Sequence, residues 1–109
     1  MAITPKNAKA AMTTSSTTAY TVPTSTNAII KSIQVTNIDG TNTADASISW
    51  TDSSDSDTET FLIKSTTVQP GEATSALVDV LHLEAGDTIK VLASANSDLV
   101  CSISLLEIT

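Results

Sequence analysis

Arginine is absent from this chain of 109 residues, and the five lysines (Lys6, Lys9, Lys31, Lys64, Lys90) are scattered among twelve acids for a net charge of −7. Phosphate recognition relies on arginine forks and clustered lysines, so nucleic acid and anionic membrane surfaces are excluded as partners. Cys101 is the only cysteine, which rules out an internal disulfide. Aromatics are confined to Tyr20, Trp50 and Phe61, so the core must be built from Ile, Leu, Val and Ala. The three glycines (Gly40, Gly71, Gly86) lie far apart, which excludes a glycine-rich phosphate loop. No apolar run is long enough to span a bilayer, and no Asn is followed two places later by Ser or Thr. The amino-terminal stretch MAITPKNAKAAMTTSSTTAY has no apolar signal-peptide core, so synthesis and assembly in a cytoplasm are expected.

What is present is Ser and Thr, together roughly a third of the residues, and a repeating pattern of short alternating runs. Thr suits strands because its branched Cβ packs on the pleat. The pattern predicts strands over Ala19–Val22, closed by Pro23, and over Ala28–Ile38, with Ile29, Ile33 and Val35 on one face interrupted by Lys31. Asp39-Gly40-Thr41-Asn42 forms a hairpin loop, after which Ala46, Ile48 and Trp50 alternate with Ser47 and Ser49. Phe61 and Ile63 mark the next strand, and Pro70-Gly71 a turn that needs φ > 0. Ala76–Leu83 is expected as one strand, with Leu77, Leu81 and Leu83 on one face and Val78 and Val80 on the other.

After the Ala85-Gly86-Asp87 turn, Ile89, Val91, Ala93 and Ala95 alternate with polar residues. Asn96-Ser97-Asp98 then leads into Leu99–Ile108. About eight strands at this spacing predict an all-β fold, a single small antiparallel β-sandwich or jelly roll over residues 19–109. Residues 1–18 lack periodicity and are expected as an extended amino-terminal arm, ordered on a neighbour. The last strand carries Cys101, Ile103 and Leu105 on one face but Val100, Leu106 and Ile108 on the other. Such a strand is either central in the core or covered by another chain. A small domain without disulfides has little margin, so help from partner subunits is expected.

Candidate chemistry is sparse. Asp52, Asp55, Asp57 and Glu59 fall in one acidic loop and could wrap a hard cation through oxygen ligands. Their spacing fails the EF-hand pattern, and a solvated loop of like charges is the ordinary reading. His82 has no second His or Cys beside it to form a zinc pair. A Cys101–His82 nucleophile pair is formally available, but an apolar strand context keeps the thiol protonated. No Gly-x-Ser-x-Gly elbow is present, so no catalytic residue, resident metal or cofactor is expected. Trp50 and Tyr20 could stack a sugar, yet Trp50 shares its face with Ala46 and Ile48 and reads as a core anchor.

Three stretches together carry a resemblance: Thr21-Val22-Pro23 leading into Ile29–Asn37, then Pro70-Gly71-Glu72, then Leu83–Val91 with its Ala-Gly-Asp turn. The chain from Tyr20 to Ile108 resembles the small β-sandwich virion proteins of tailed bacteriophages. That resemblance implies a non-enzymatic structural role in the virion, assembly as a homo-oligomer and no catalytic residue to carry over. The expected function is a capsid decoration (cement) protein that binds the major capsid protein and stabilises the head. The alternative is a tail- or fibre-associated adhesin that recognises a host glycan. The acidic loop and the Ala/Thr-rich start depart from the family pattern.

Overall fold

The computed structural model describes residues 2–109. Among these residues nine strands form two antiparallel sheets: β1 (Ile3–Ala11), β2 (Thr17–Thr21), β3 (Asn27–Asn37), β4 (Ala44–Asp52), β5 (Thr58–Val68), β6 (Ala73–Ser75), β7 (Leu81–Leu83), β8 (Thr88–Ala93) and β9 (Leu99–Ile108). The front sheet runs β1-β9-β3, with β6 and β7 both paired to the far side of β3; the back sheet runs β2-β8-β4-β5. With β6 and β7 taken as one interrupted strand, this is the eight-strand order of a jelly roll. The all-β sandwich expected from alternation is the fold observed.

Alternation builds the core. Leu99, Cys101, Ile103 and Leu105 point inward from β9, and Ile30, Ile33 and Val35 do so from β3. They meet Ala46 and Ile48 of β4 and Ile89 and Val91 of β8 from the other sheet. Trp50 is only half-buried at the edge of this cluster. The centre of the core is therefore aliphatic, and the expectation of Trp50 as its main anchor is corrected.

Pairing of β3 with β9 slips by one residue between Ile30 and Ser32. The extra residue is Lys31, exposed at a β-bulge. Without that slip, Ile33 and Ile30 would fall on opposite faces, because side chains alternate with period two. With it, Ala28, Ile30, Ile33 and Val35 all face the core. Ile29, expected on the face of Ile33 and Val35, is instead turned outward.

Residues 2–18, expected as part of an extended arm over 1–18, are built into the sandwich; Met1 lies outside the described residues. Ile3–Ala11 pairs with β9 over its whole length, from Ile3 opposite Ile108 to Ala11 opposite Val100. Two further backbone bonds join Ala2 and Thr109. Ala8 and Ala10 pack against the core, and Met12 is fully buried, with its N–H donating to the Leu99 carbonyl. Weak periodicity concealed a strand because β1 is an edge strand, which needs only small residues on its inner face. Pro5, Lys6 and Lys9 are residues that edges use to discourage unwanted pairing. The domain boundary expected at residue 18 also fails, since Thr17 and Thr18 already pair with β8.

Ala76–Leu83 is likewise not one continuous strand. Ser75 lies opposite Gln34 and Leu81 opposite Ile30, so five residues (76–80) face only three (31–33). The surplus loops outward. Ala76 still donates to the Ile33 carbonyl and is buried, whereas Val78 and Val80 stand in solvent.

Deleting residues 1–12 is expected to strip a strand from the front sheet and open the core above Met12. The thermal midpoint followed by circular dichroism should fall by at least about 10 °C, equivalent to roughly 2 kcal/mol. A truncated chain that melts with the full-length one would show β1 to be dispensable.

Candidate functional site

The outer face of the front sheet divides into two halves. Directly opposed residues of an antiparallel pair share a face, so cross-strand rows can be read from the register. One row runs Pro5, Leu106, Ile29, His82 across β1, β9, β3 and β7. The next is Ile3, Ile108, Asn27. Leu106, Ile29 and Ile108 are half-buried and Ile3 is 58% exposed, and among the described residues no strand is layered over this face. Towards the other end the outward positions turn polar (Ser104, Ser102, Ser32, Gln34 and Thr36), with the Ala11–Val100 rung the exception. Apolar residues gathered on one half of a sheet face form the kind of patch that, when large, serves as an interaction surface.

The Lys31 bulge creates this patch. By shifting the phase of β3 it brings Ile29 out beside Leu106 while keeping Ile30 inside. The double-sided character of the last strand is thereby accounted for: Cys101, Ile103 and Leu105 are core, and Val100, Leu106 and Ile108 are the outward set. Glu107, an inward residue near the strand's end, is reached by the Tyr20 hydroxyl, which donates to it at 2.7 Å and ties the two sheets together. Burial, and then the Glu107 hydrogen bond and charge, push the Tyr20 hydroxyl's pKa well above its usual range.

The acidic residues of the 52–59 loop do not converge. Asp52 caps a single 3₁₀ turn (Ser53–Asp55) by accepting from the Ser54 N–H at 3.0 Å. Asp55 and Asp57 are exposed, and Glu59 accepts from the Ser49 hydroxyl. Asp52 instead approaches Glu84 and Asp87, with carboxylate oxygens within 4.8 Å of one another. Asp87 is the organiser here. Its buried carboxylate accepts from the Ser53 N–H (2.9 Å), the Ser53 hydroxyl (3.0 Å) and the Glu84 N–H (2.8 Å). Gly86 sits at φ +87, and a Cβ there would meet the Ser53 hydroxyl at 2.9 Å. The chemistry of Asp87 is thus spent on fastening the β4–β5 loop to the β7–β8 turn. Sequence reading missed this role because Asp87 and Ser53 are thirty-four positions apart.

Cys101 and His82 do not meet. Cys101 lies opposite Val35 on β3 and faces the core, whereas His82 lies opposite Ile29 and is exposed. Six residues of β3 separate the two rungs, about 20 Å of strand. Burial pushes the Cys101 thiol up to about 11. Tyr20 and Trp50 are both half-buried and packed against the core, so neither forms an open stacking platform. Phe61 is the exposed aromatic, with the Lys64 ammonium 4.8 Å from its ring centroid.

No protein-family model matches the chain, and no curated protein matches it either. Among solved structures, one from Bacillus endospore appendages, described as a novel family of disulfide-linked pili, aligns with 99% of this chain and 87% of its own. Its TM-score is 0.58 and its sequence identity 14%. A pentameric capsid protein isolated from metagenomic phage sequences aligns with 94% of this chain and 58% of its own, at a TM-score of 0.44 and 18% identity. At these identities the first likeness is one of fold, and it agrees with the sandwich described above. No helix among the described residues is long and apolar enough to cross a membrane.

Two outcomes follow from the buried groups. Asp87→Ala leaves three donors without their acceptor and should cost about 2–4 kcal/mol in urea unfolding, while a loss below about 1 kcal/mol would contradict the fastening role. Cys101 keeps its proton in the folded state to about 11, against 9.0 ordinarily. Above pH 9 the unfolded chain therefore loses a proton that the folded chain retains. The thiol's effect on stability is nil below that pH and grows as pH rises towards 11, reaching a loss on the order of 2–3 kcal/mol. Cys101→Ala should flatten that part of the stability–pH curve; an unchanged slope would show that the thiol is not its source.

Proposed function

We propose that this protein is a non-enzymatic structural subunit of a bacteriophage virion, a capsid decoration protein that lays the outer face of its front sheet on the major capsid protein. The single observation that carries the reading is the apolar half of that face: Ile3, Pro5, Ile29, Leu106 and Ile108, with no strand among the described residues layered over them. Two further features support it. The strand order is that of a jelly roll, an architecture common among viral capsid domains, and the sequence resembles small virion β-sandwich proteins. A buried Cys101 with a raised thiol pKa and an exposed His82 favour structure over catalysis.

The patch is small for a stable isolated complex, which typically buries about 800 Å² on each partner. A shell offers the same site many times, and weak contacts repeated across linked copies gain avidity. The partner that fits is therefore an ordered array of protein with an apolar, weakly acidic docking strip, because the strands of the front sheet present Lys9 and Lys31 outward and no carboxylate.

Leu106→Asp and Ile29→Asp place a charge in the middle of the patch without touching the core. Each is expected to reduce co-sedimentation with phage heads by at least about tenfold, since a charge buried without a partner costs more than 1.4 kcal/mol. Undiminished binding by both variants would refute the face as the docking surface. Gold labelling that found the protein only on tails would refute the head location.

A further inference from the structure

Towards its two free edges the front sheet carries matching features that the face-on contact does not use. At the β6/β7 edge, the surplus loop projects Val78, fully exposed, and Val80, 58% exposed, on either side of Asp79. The loop is braced from within. The Ser75 hydroxyl accepts from the Leu77 N–H and donates to its carbonyl, and the Asp79 carboxylate accepts from the Val80 N–H at 2.7 Å. Ala76 and Leu77 anchor its base against the core. The result is an apolar knob with one negative charge at its tip.

Towards the opposite edge, on the outer face where β1 pairs with the start of β9, there is a depression of about 450 Å³ lined by Lys9, Ala10, Ala11, Val100, Cys101 and Ser102. Its floor is low because the rungs there pair Ala11 with Val100 and Lys9 with Ser102. Small side chains leave room, and Lys9 supplies one positive charge at the rim. A cavity of about 150 Å³ already accommodates a benzene ring, so this depression has space for two valine side chains. Knob and depression are thus complementary in polarity, size and charge, and they lie towards opposite edges of one sheet.

We propose that the protein self-associates through the edge loop of one copy and the outer face of the next, with Val78 and Val80 seated in the Lys9–Val100 depression and Asp79 paired with Lys9. The surfaces that meet differ, so the contact is heterologous: each copy has a free knob and a free depression, and assembly continues until a ring closes or a row extends. A symmetric pair formed through either feature alone would oppose Asp79 to Asp79 or Lys9 to Lys9, which disfavours it. This contact occupies the Val100 end of the outer face and leaves its apolar half, with Ile3, Ile29, Leu106 and Ile108, free for docking.

Sedimentation velocity on the free protein tests this without any capsid, so its outcome is independent of the decoration role. Over about a hundredfold range of concentration the wild-type mean mass should climb past the dimer. Val78→Asp, and separately Val80→Asp, should hold the protein at the monomer. Lys9→Glu and Asp79→Lys should each weaken association by about tenfold, and the pair combined should restore it to within a few-fold of wild type. A wild-type chain that stays monomeric throughout, one that stops at the dimer, or association unmoved by Val78→Asp would overturn the proposal. So would failure of the charge swap to rescue.

Discussion

A sandwich sheet must keep its apolar residues facing the partner sheet along its whole length, and β3 meets this demand only by carrying one residue too many. Lys31 stands in the bulge, outside the ladder. On one side of it the inward residues are Ile33 and Val35; on the other they are Ile30 and Ala28. An unbulged strand would either expose Ile30 and bury Lys31 or expose Ile33 and Val35, and burying an unpaired ammonium costs several kcal/mol. The same irregularity sets the character of the outer surface, because the phase change turns Ile29 towards solvent beside Leu106. Core integrity and the proposed docking face therefore have one origin. The surplus on the neighbouring strand, residues 76–80, runs past the same stretch of β3, so the bulge and the projecting loop are adjacent irregularities in one part of the sheet.

The two ends of the sandwich are closed by different means. Near the Asn37 end, the buried Asn37 amide donates to the Asn42 and Val68 carbonyls, so a side chain substitutes for missing ladder bonds. At the other end, Asp87 gathers the Ser53 turn and the Glu84 amide. The Gly86 N–H and the Asp87 carbonyl exchange hydrogen bonds with Val22. Loops in small sandwiches are where backbone groups go unpaired. Here among the described residues no buried side-chain nitrogen or oxygen lacks a partner. With so few aromatics, this complete pairing is what gives an aliphatic core of modest size a single arrangement.

Much of this was legible in the sequence, and the failures are instructive. Strands β8 and β9 and the turns at Pro70-Gly71 and Ala85-Gly86-Asp87 follow from alternation and turn chemistry, which are local. Gly71 and Gly86 do adopt positive φ. The two-sided last strand was also visible, and with it the prospect of an uncovered face. Three features were not. β1 is held by pairing with β9 and by two half-buried alanines, and alanine alternating with Lys and Asn gives little periodic signal. The face of Ile29 depends on a bulge, and a bulge is decided by register with a distant strand. The acidic loop is dense in charge, yet the carboxylate that matters structurally is Asp87, legible in sequence only as part of a local turn and not as the acceptor for the distant Ser53.

The pairing of β1 with β9 bears on how the protein is made. Among the described residues β1 finds its ladder partner in the last strand, nearly a hundred positions later. During translation at roughly 5–20 residues per second, β1 waits several seconds before its partner emerges. Until then β3 has no neighbour on its β9 side, and Met12 has nothing to cover it. So distant a closure makes folding slow and leaves nascent chains open to pairing with one another. Lower growth temperature and moderate expression should accordingly raise the yield of properly closed molecules more than any change to the loops.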